Sequence, residues 1–366
     1  MRIAFILIIG THSIIHLFGF LKAFEFSEFK ALTQSISKPM GIIWLITFCL
    51  FILTLLLFIF KSSNWFIFGI SAVVISQLLV LLHWHDAKFG TLLNITILII
   101  SIVAFAKFNF NKKINTERAF MHTKIELNKN NSEVNKTIEN LPIAVQKWFQ
   151  YSGIQKSKPI QSVSLKQEAL MKMKPNQKEW YKANAEQYFT IQPPAFNWSV
   201  QLTMNPLMNI IGRDKFEDGK GEMLIKLWSI FPIVDAKENQ KINQGTLQRF
   251  LAEIVWFPSA ALSPYITWKH IDEKSAKATI NYKGTTGSGI FYFKDSGEFL
   301  KFSAMRYKDI EKDSKLMEWT VESLKTKEFN SIKIPSELKA TWKLEDGDWT
   351  WLKLKITDIK YIFEKS

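Results

Sequence analysis

The chain has 366 residues, with 47 Lys and Arg against 33 Asp and Glu, a formal net charge of +14 and one cysteine. This length predicts two or three domains, and a single cysteine excludes intrachain disulfides and cysteine-rich metal sites. The basic excess consists of scattered lysines with only five arginines, and not of an arginine-rich patch interleaved with aromatic residues. We therefore expect no nucleic-acid partner.

Charged residues are scarce at the start of the chain: residues 1–108 contain seven basic and three acidic residues. Four apolar segments lie there, each near the roughly 20 residues that cross a hydrocarbon core, at about 3–21, 40–60, 65–83 and 91–108. The first lacks a signal-peptidase site and is followed by three more, so we interpret it as a retained span. Tryptophans suited to membrane interfaces lie near the segment ends, namely Trp44, Trp65 and Trp84. Residues 1–108 are predicted to form four transmembrane helices with the lipid bilayer as partner.

Charge counting predicts the orientation of these spans. Four spans place both termini on one side, and that side carries Arg2, Lys61, Lys107, Lys112, Lys113, Arg118 and Lys124. The other side carries Lys22, Lys30, Lys38 and Lys88. The positive-inside rule then predicts that both termini are cytoplasmic.

Histidines in the spans suggest one metal or haem site. His12 and His16 share a helix face because they are four residues apart. The carboxyl ends of the first and third spans lie on one side, so His16 is expected to approach His83, His85 and Asp86. Such a nitrogen and oxygen set suits a transition metal or haem. The alternative is that neutral histidines hydrogen bond between helices or reach the headgroups, and no other cofactor is expected.

Beyond the spans, residues 109–140 are rich in Lys and Asn and are predicted to be a helical exit followed by a polar linker. The segment LPIAVQKWFQYS predicts a short helix at 141–152, with Pro142 in its first turn and Gly153 as its stop.

From about residue 160 the hydrophobic period changes to two, which predicts ten or so strands. Short turns join them, among them Glu217–Lys220, Asp295–Glu298 and Glu345–Asp348. One helix, predicted at 246–257, interrupts the series. Residues 141–366 are thus predicted to be an α+β domain, an antiparallel β half-barrel meander with one or two helices. Its concave face is either fully packed or contains an apolar pocket.

Several segments resemble a family of uncharacterised bacterial proteins known only as a domain of unknown function. The resemblance covers roughly residues 138–310 and rests on the order of LPIAVQKWFQYSGI, AEQYFTIQPPAFNW, GRDKFEDGKGEM and RFLAEIVWFPSAAL. It implies a bacterial protein and no activity, and together with the four spans this predicts a multi-pass protein of the bacterial cytoplasmic (inner) membrane. The strand order resembles the half-barrel of LolA-type lipoprotein carriers, an analogy that implies an extracytoplasmic domain, against the charge count.

No Ser-His-Asp set or phosphate-binding loop occurs, since GTTGSG lies between two strands and lacks the P-loop Lys and helix. Chemistry in the soluble part would have to use carboxylates and arginines, namely Glu253, Asp235 and Asp214 with Arg213, Arg249 and Arg306. Glu253 lies at the edge of an apolar helix face, one turn from Arg249. A buried ion-pair network that fixes the helix on the sheet is the favoured interpretation, and a catalytic acid is the alternative.

Three functions remain open from the sequence. The first is a membrane protein whose aromatic-rich half-barrel binds a lipid-like or other apolar ligand. Its tryptophans suggest this, namely Trp180, Trp198, Trp228, Trp268, Trp319, Trp342 and Trp351. The second is a membrane enzyme that uses the histidines or the acid and arginine cluster. The third is a structural or assembly protein of the cell envelope without a ligand, and the sequence predicts no specific protein partner.

Overall fold

A computed structural model describes residues 2–29, 32–128, 137–205 and 208–364. The chain divides into two compact units. One contains Met1–Lys112 with Trp228–Ile230, and the other contains Lys113–Leu227 and Phe231–Ser366.

Long apolar helices form the first unit. The helices of this part of the chain are α1 (Arg2–Ala23), α2 (Lys38–Ile59), α3 (Trp65–Leu82), the single turn α4 (Trp84–Ala87) and α5 (Gly90–Asn128). Helix α2 begins where the sequence indicates, because the Ser37 side chain accepts a hydrogen bond from the Met40 N–H and a proline occupies the first turn. Four of the helices, α1, α2, α3 and α5, are long and apolar enough to cross a membrane.

Helix α5 continues well past the predicted end of the fourth apolar segment. Residues 109–128, predicted to leave the span as a helix and then become a polar linker, are helical throughout, whereas 129–136 lie outside the described residues. The part of α5 from Lys113 onward packs on the β-sheet of the second unit, where Met121 is buried against Tyr188 and Ala195. A buried apolar face therefore stabilises helix in a stretch whose composition alone suggests a linker.

One antiparallel sheet of thirteen strands forms the second unit, together with two helices. The strands are β1 (Ile160–Met171), β2 (Tyr181–Thr190), β3 (Ala195–Asn205), β4 (Met208–Glu217), β5 (Lys220–Leu227), β6 (Phe231–Ala236), β7 (Ile266–Asp272), β8 (Ser275–Tyr282), β9 (Thr285–Phe293), β10 (Phe299–Tyr307), β11 (Leu316–Phe329), β12 (Ile332–Leu344) and β13 (Gly347–Phe363). The helices are α6 (Ile143–Ser152) and α7 (Gln240–Glu253), and one-turn 3-10 helices cover Ile254–Trp256 and Pro258–Leu262. The predicted fold class, apolar helices followed by an antiparallel half-barrel with two helices, is confirmed.

The strand order is that of two meanders joined at their ends. Strands pair with their sequence neighbours, and β1 also pairs with β13, so the order runs from β6 through β1 and β13 to β7. Type I′-like hairpins carry the chain between strands. Asp218 and Gly219 both have positive φ at the predicted turn, and the same occurs at Lys283 and Gly284, which the sequence did not single out.

The sheet curls until distant strands meet. Lys283 Nζ lies 2.5 Å from Asp218 Oδ1, and the Thr285 hydroxyl donates to the Gly219 carbonyl at 2.6 Å. The β4–β5 turn therefore contacts the β8–β9 turn, although several strands separate them in the sheet. Helix α7 connects the edge strands β6 and β7, and it contacts β4 and β5 on one side and β8, β9 and β10 on the other.

Helix α7 starts earlier and ends earlier than predicted. Asn239 caps it by accepting a hydrogen bond from the Lys241 N–H at 2.8 Å, and the α-helix gives way to a 3-10 turn after Glu253. Its apolar face, with Leu247, Phe250 and Leu251, is fully buried in the main core of the domain. Gly221 of β5 permits this close approach, because a Cβ there would lie 2.7 Å from the Ile242 carbonyl oxygen.

Candidate functional site

A cavity of about 230 Å³ remains between α7 and strands β10–β13. Elsewhere the concave side of the sheet is filled by the domain's own side chains, such as Phe250, Phe257 and Phe302. The cavity walls combine apolar and charged residues, which include Asp214, Arg249, Ala252, Glu253, Trp256, Arg306, Lys308, Trp319, Val321, Leu338, Lys339, Ala340, Trp342, Trp349, Trp351, Leu352 and Leu354. The half-barrel thus has a large packed core, and this cavity has mainly apolar walls with a few charged side chains.

Four tryptophans form one wall of this cavity. Trp319, Trp342 and Trp349 are directly opposite one another on β11, β12 and β13. A bulge in β13 then opposes Ala340 to Leu352 and Thr341 to Thr350, which leaves Trp351 as the extra residue. Trp349 and Trp351 are two residues apart, so strand alternation places both on one face, and both line the cavity. A bulge redirects side chains locally, and beyond it Leu352 and Leu354 line the cavity as well. Trp349 was not among the expected residues.

Arg249 organises the ion cluster on the α7 side. Its Nη1 donates to Asp214 Oδ2 at 2.7 Å, and its Nε donates to Glu253 Oε1 at 2.9 Å. The guanidinium lies over the Trp198 ring, 4.6 Å from its centroid. The structure therefore brings together three of the predicted residues, one cation shared between two buried carboxylates.

Both oxygens of Glu253 are occupied. Glu253 Oε2 accepts a hydrogen bond from Gln187 Nε2 at 2.8 Å. A separate hydrogen bond runs from the Trp198 Nε1–H to Gln167 Oε1 at 2.9 Å. Burial raises the pKa of Asp214 and of Glu253, while the charge of Arg249 opposes that rise. Two such hydrogen bonds hold Glu253 in place between α7 and β2, which agrees with the favoured structural interpretation of this residue.

Arg306 is held differently from Arg249. Its guanidinium carbon lies 4.6 Å from the centre of the Trp319 ring and 5.9 Å from that of Trp342. Gly245 of α7 makes room for it, because a Cβ there would lie 3.0 Å from Arg306 Nε. Burial, reinforced by the charge of Arg249, lowers the pKa of Arg306 to about 10, so the group still carries its charge at neutral pH.

Four N–H donors on cavity-lining residues have no acceptor among the described residues. They are the Nε of Arg306 and the Nε1 of Trp319, Trp349 and Trp351. By contrast, the Nε1–H of Trp256 donates to the Pro335 carbonyl at 3.1 Å. An unsatisfied buried donor costs about 1–3 kcal/mol. A ligand with acceptor groups could lower this cost.

Arg213 and Asp235 are not part of this cluster. Arg213 precedes Asp214 on β4, so it lies on the opposite face of the sheet, where two of its nitrogens donate to Glu222 at 2.8 Å and Glu117 of α5 lies 3.5 Å away. Asp235 is exposed on the edge strand β6, opposite Leu224. The prediction that both residues lie in one cluster with Arg249 and Arg306 was wrong, because they lie elsewhere on the sheet.

In the helical unit, His12 and His16 belong to a buried polar network. His12 Nε2 lies 2.8 Å from Asn94 Oδ1, and His16 Nε2 lies 2.8 Å from Ser76 Oγ. The two imidazole rings are 4.9 Å apart. These contacts link α1, α3 and α5 through hydrogen bonds, which is the alternative that the sequence left open.

The other predicted metal ligands lie in different surroundings. Asp86 accepts hydrogen bonds from the backbone of Gln34 and Thr33 and from His85 Nδ1, which together hold the pKa of its carboxyl below the usual range. His83 Nδ1 lies 3.1 Å from the Leu79 carbonyl. Within the described residues, no three His, Cys, Asp or Glu side chains are close enough to hold a metal ion. His16, His83, His85 and Asp86 therefore do not come together as the predicted metal site.

Comparison with known proteins gives a family for the chain. Residues 139–361 match the model of a family of unknown function, DUF6920. The chain belongs to this family. The resemblance found in the sequence motifs is confirmed, and the match extends through β13, so that it includes the whole tryptophan wall.

Outside this family, the similarities to known proteins are weak. No curated protein matches the chain. Among solved structures, a LolA superfamily protein from Nitrosomonas europaea is similar at 9% sequence identity, with a TM-score of 0.30, over 61% of this chain and 94% of that one.

Proposed function

We propose that the C-terminal domain of this DUF6920 protein binds an amphipathic, lipid-like molecule in the tryptophan-lined cavity. The observation that carries the proposal is the cavity itself, whose lining includes four indole rings and N–H donors without an acceptor among the described residues. Apolar rings favour a hydrocarbon group, and isolated polar groups fix the orientation of a ligand.

The volume of the cavity limits the size of the ligand. A volume of about 230 Å³ is below the roughly 300–1,000 Å³ of pockets that enclose a drug-sized molecule. The space therefore suits a single chain or a headgroup with part of its chain, and a whole phospholipid is too large for it.

The proposal includes a bilayer anchor. Large apolar side chains are exposed along α1–α5, among them Leu7, Leu56, Val74, Leu78, Ile95 and Ile99. Contiguous exposed apolar surface of this kind marks contact with lipid or protein. We infer that the four apolar helices cross the bacterial inner membrane, and the lysine count supports cytoplasmic termini.

A fluorescent reporter fused to the C-terminus is expected to fluoresce in the cytoplasm, and a secreted-phosphatase fusion at the same point is expected to be inactive. The reverse pattern would place the domain outside.

The binding proposal predicts that filling the cavity displaces the ligand. Ala252 on α7 and Ala340 on β12 line it and are buried. In the Ala252→Leu/Ala340→Leu variant we expect the small-molecule adduct of the wild type to be lost in native mass spectrometry of the full chain released from nanodiscs. The melting temperature should be unchanged or raised, since cavity filling adds packing contacts.

Ala119→Leu is the matched control, because Ala119 is exposed on α5 and does not line the cavity. This variant should retain the adduct. A wild-type protein without any adduct, or an equal adduct in the filled variant, would contradict the proposal.

A further inference from the structure

Among the cavity-lining charges, Arg306 differs in its contacts from Arg249, Asp214, Glu253 and Lys339, and Lys308 is exposed. Asp214 and Glu253 are both hydrogen bonded to Arg249, and Lys339 pairs with Glu322 at 3.0 Å. Arg306 lies beside the neighbouring rings of Trp319 and Trp342 instead, and its Nε has no acceptor among the described residues. Hydrogen bonds of a guanidinium leave from the edge of its plane.

The charge balance of the cavity is positive. Its lining contains the carboxylates of Asp214 and Glu253 together with Arg249, Arg306, Lys308 and Lys339. Arg249 bridges both carboxylates, so their acceptor capacity is directed at that residue. A ligand that adds one negative charge therefore improves the balance, whereas a cationic headgroup does not.

The N–H donors of the tryptophan wall are a second feature that favours an anionic ligand. The Nε1–H groups of Trp319, Trp349 and Trp351 are buried and have no acceptor among the described residues, and the Trp319 ring lies beside Arg306. An oxyanion has several lone pairs and accepts from such a set, and charge-assisted hydrogen bonds of this kind are about twice as strong as neutral ones. The lining also contains apolar groups on β12 and β13, namely Leu338, Leu352 and Leu354.

We propose that the cavity binds a singly anionic amphiphile head first, with its carboxylate or phosphate at the edge of Arg306 and its hydrocarbon chain along the β12–β13 wall. This proposal rests on the proposed function and specifies its ligand class. The guanidinium donates to the oxyanion, and the indole N–H groups satisfy its remaining lone pairs.

The test compares three probes on the full chain in phosphatidylcholine nanodiscs, with tryptophan fluorescence as the readout. Dodecanoate carries the anion and the chain, dodecanol carries only the chain, and inorganic phosphate carries only the anion. We expect the wild type to bind dodecanoate about tenfold to a hundredfold more tightly than dodecanol, and to show no saturable response to phosphate at the same concentrations.

Arg306→Met should reduce dodecanoate affinity to that of dodecanol and leave dodecanol affinity unchanged. Arg306→Lys keeps the charge without the planar fork and should recover part of the preference. Arg213→Met is the matched control, since it removes an arginine from the opposite face of the same sheet and should keep the full preference. Thermal unfolding of each variant identifies any that fail to fold, and in that case Arg306→Lys alone carries the comparison.

The outcomes separate this inference from the proposed function. Equal binding of dodecanoate and dodecanol by the wild type would overturn the anionic-head proposal while leaving a lipid-like ligand in place. Phosphate that competes as well as dodecanoate would show a free oxyanion site and would also overturn it. Absence of binding by both amphiphiles, together with no native adduct, would remove the proposed function itself.

Discussion

Arg249→Met is expected to destabilise the β-domain by about 3–5 kcal/mol at neutral pH, because it leaves two buried carboxylates without their cation. Arg249 donates hydrogen bonds to both Asp214 and Glu253. Urea unfolding followed by tryptophan fluorescence measures the loss.

The loss should depend on pH, with a defined sign. Burial already raises the pKa of Asp214 and Glu253, and removal of Arg249 raises it further. A carboxyl whose folded-state pKa is raised contributes stability below its unfolded value of about 4, and that stability is lost as the pH rises through the folded value. The variant should therefore be less impaired at pH values of about 5 than at about 8.

Neutralising the two acids provides the control. Asp214→Asn and Glu253→Gln, added to Arg249→Met, should recover part of the stability and remove most of its pH dependence. A loss below about 1 kcal/mol that does not change with pH would mean that the cluster does not hold α7 on the sheet.

Trp256→Ala should have a comparable effect for a different reason. Trp256 is 2% exposed, and its backbone carbonyl accepts from the Tyr361 hydroxyl at 2.8 Å. Truncating a buried aromatic side chain costs about 3–5 kcal/mol, from lost transfer free energy and the space left behind. Because Trp256 lines the cavity, the space should enlarge, and longer-chain amphiphiles should gain affinity relative to dodecanoate.

Trp256→Phe separates packing from hydrogen bonding. It keeps an aromatic ring but removes the donor to the Pro335 carbonyl, which should cost only about 1–3 kcal/mol. If thermal unfolding shows the Phe variant to be as unstable as the Ala variant, packing at this position is not the main contribution.

Much of the fold follows from simple periodicity. Alternation marks most strands of the sheet, and positive φ at Asp218 and Gly219 occurs at the Asp-Gly turn that the sequence indicates. The third predicted turn is displaced, since β12 ends at Leu344 and β13 starts at Gly347.

The ion cluster was only partly predictable. The spacing of Arg249 and Glu253 on one helix indicates their pairing. Arg213 and Asp214 are adjacent on a strand, so alternation places them on opposite faces, a signal that was present in the sequence. That Asp214 meets Arg249 could not be derived, because it depends on how far the sheet curls round α7.

Unpaired donors lie beyond sequence reasoning altogether. The tryptophans suggest an aromatic face, but whether an indole N–H finds an acceptor depends on the bulge at Trp351 and on the register of β11, β12 and β13. The same limit applies to His16, whose partner Ser76 is sixty residues away and has no motif that marks it.

Photocrosslinking shows where on the protein an anionic amphiphile binds. Dodecanoate with a diazirine at the end of its chain is equilibrated with the full-length protein in nanodiscs and irradiated, and the labelled peptides are mapped. We expect labels on peptides of β12 and β13 that contain Leu338, Leu352 or Leu354, suppressed by unlabelled dodecanoate and absent in the Ala252→Leu/Ala340→Leu variant. Labels confined to the apolar helices α1–α5, with none in the β-domain, would contradict it.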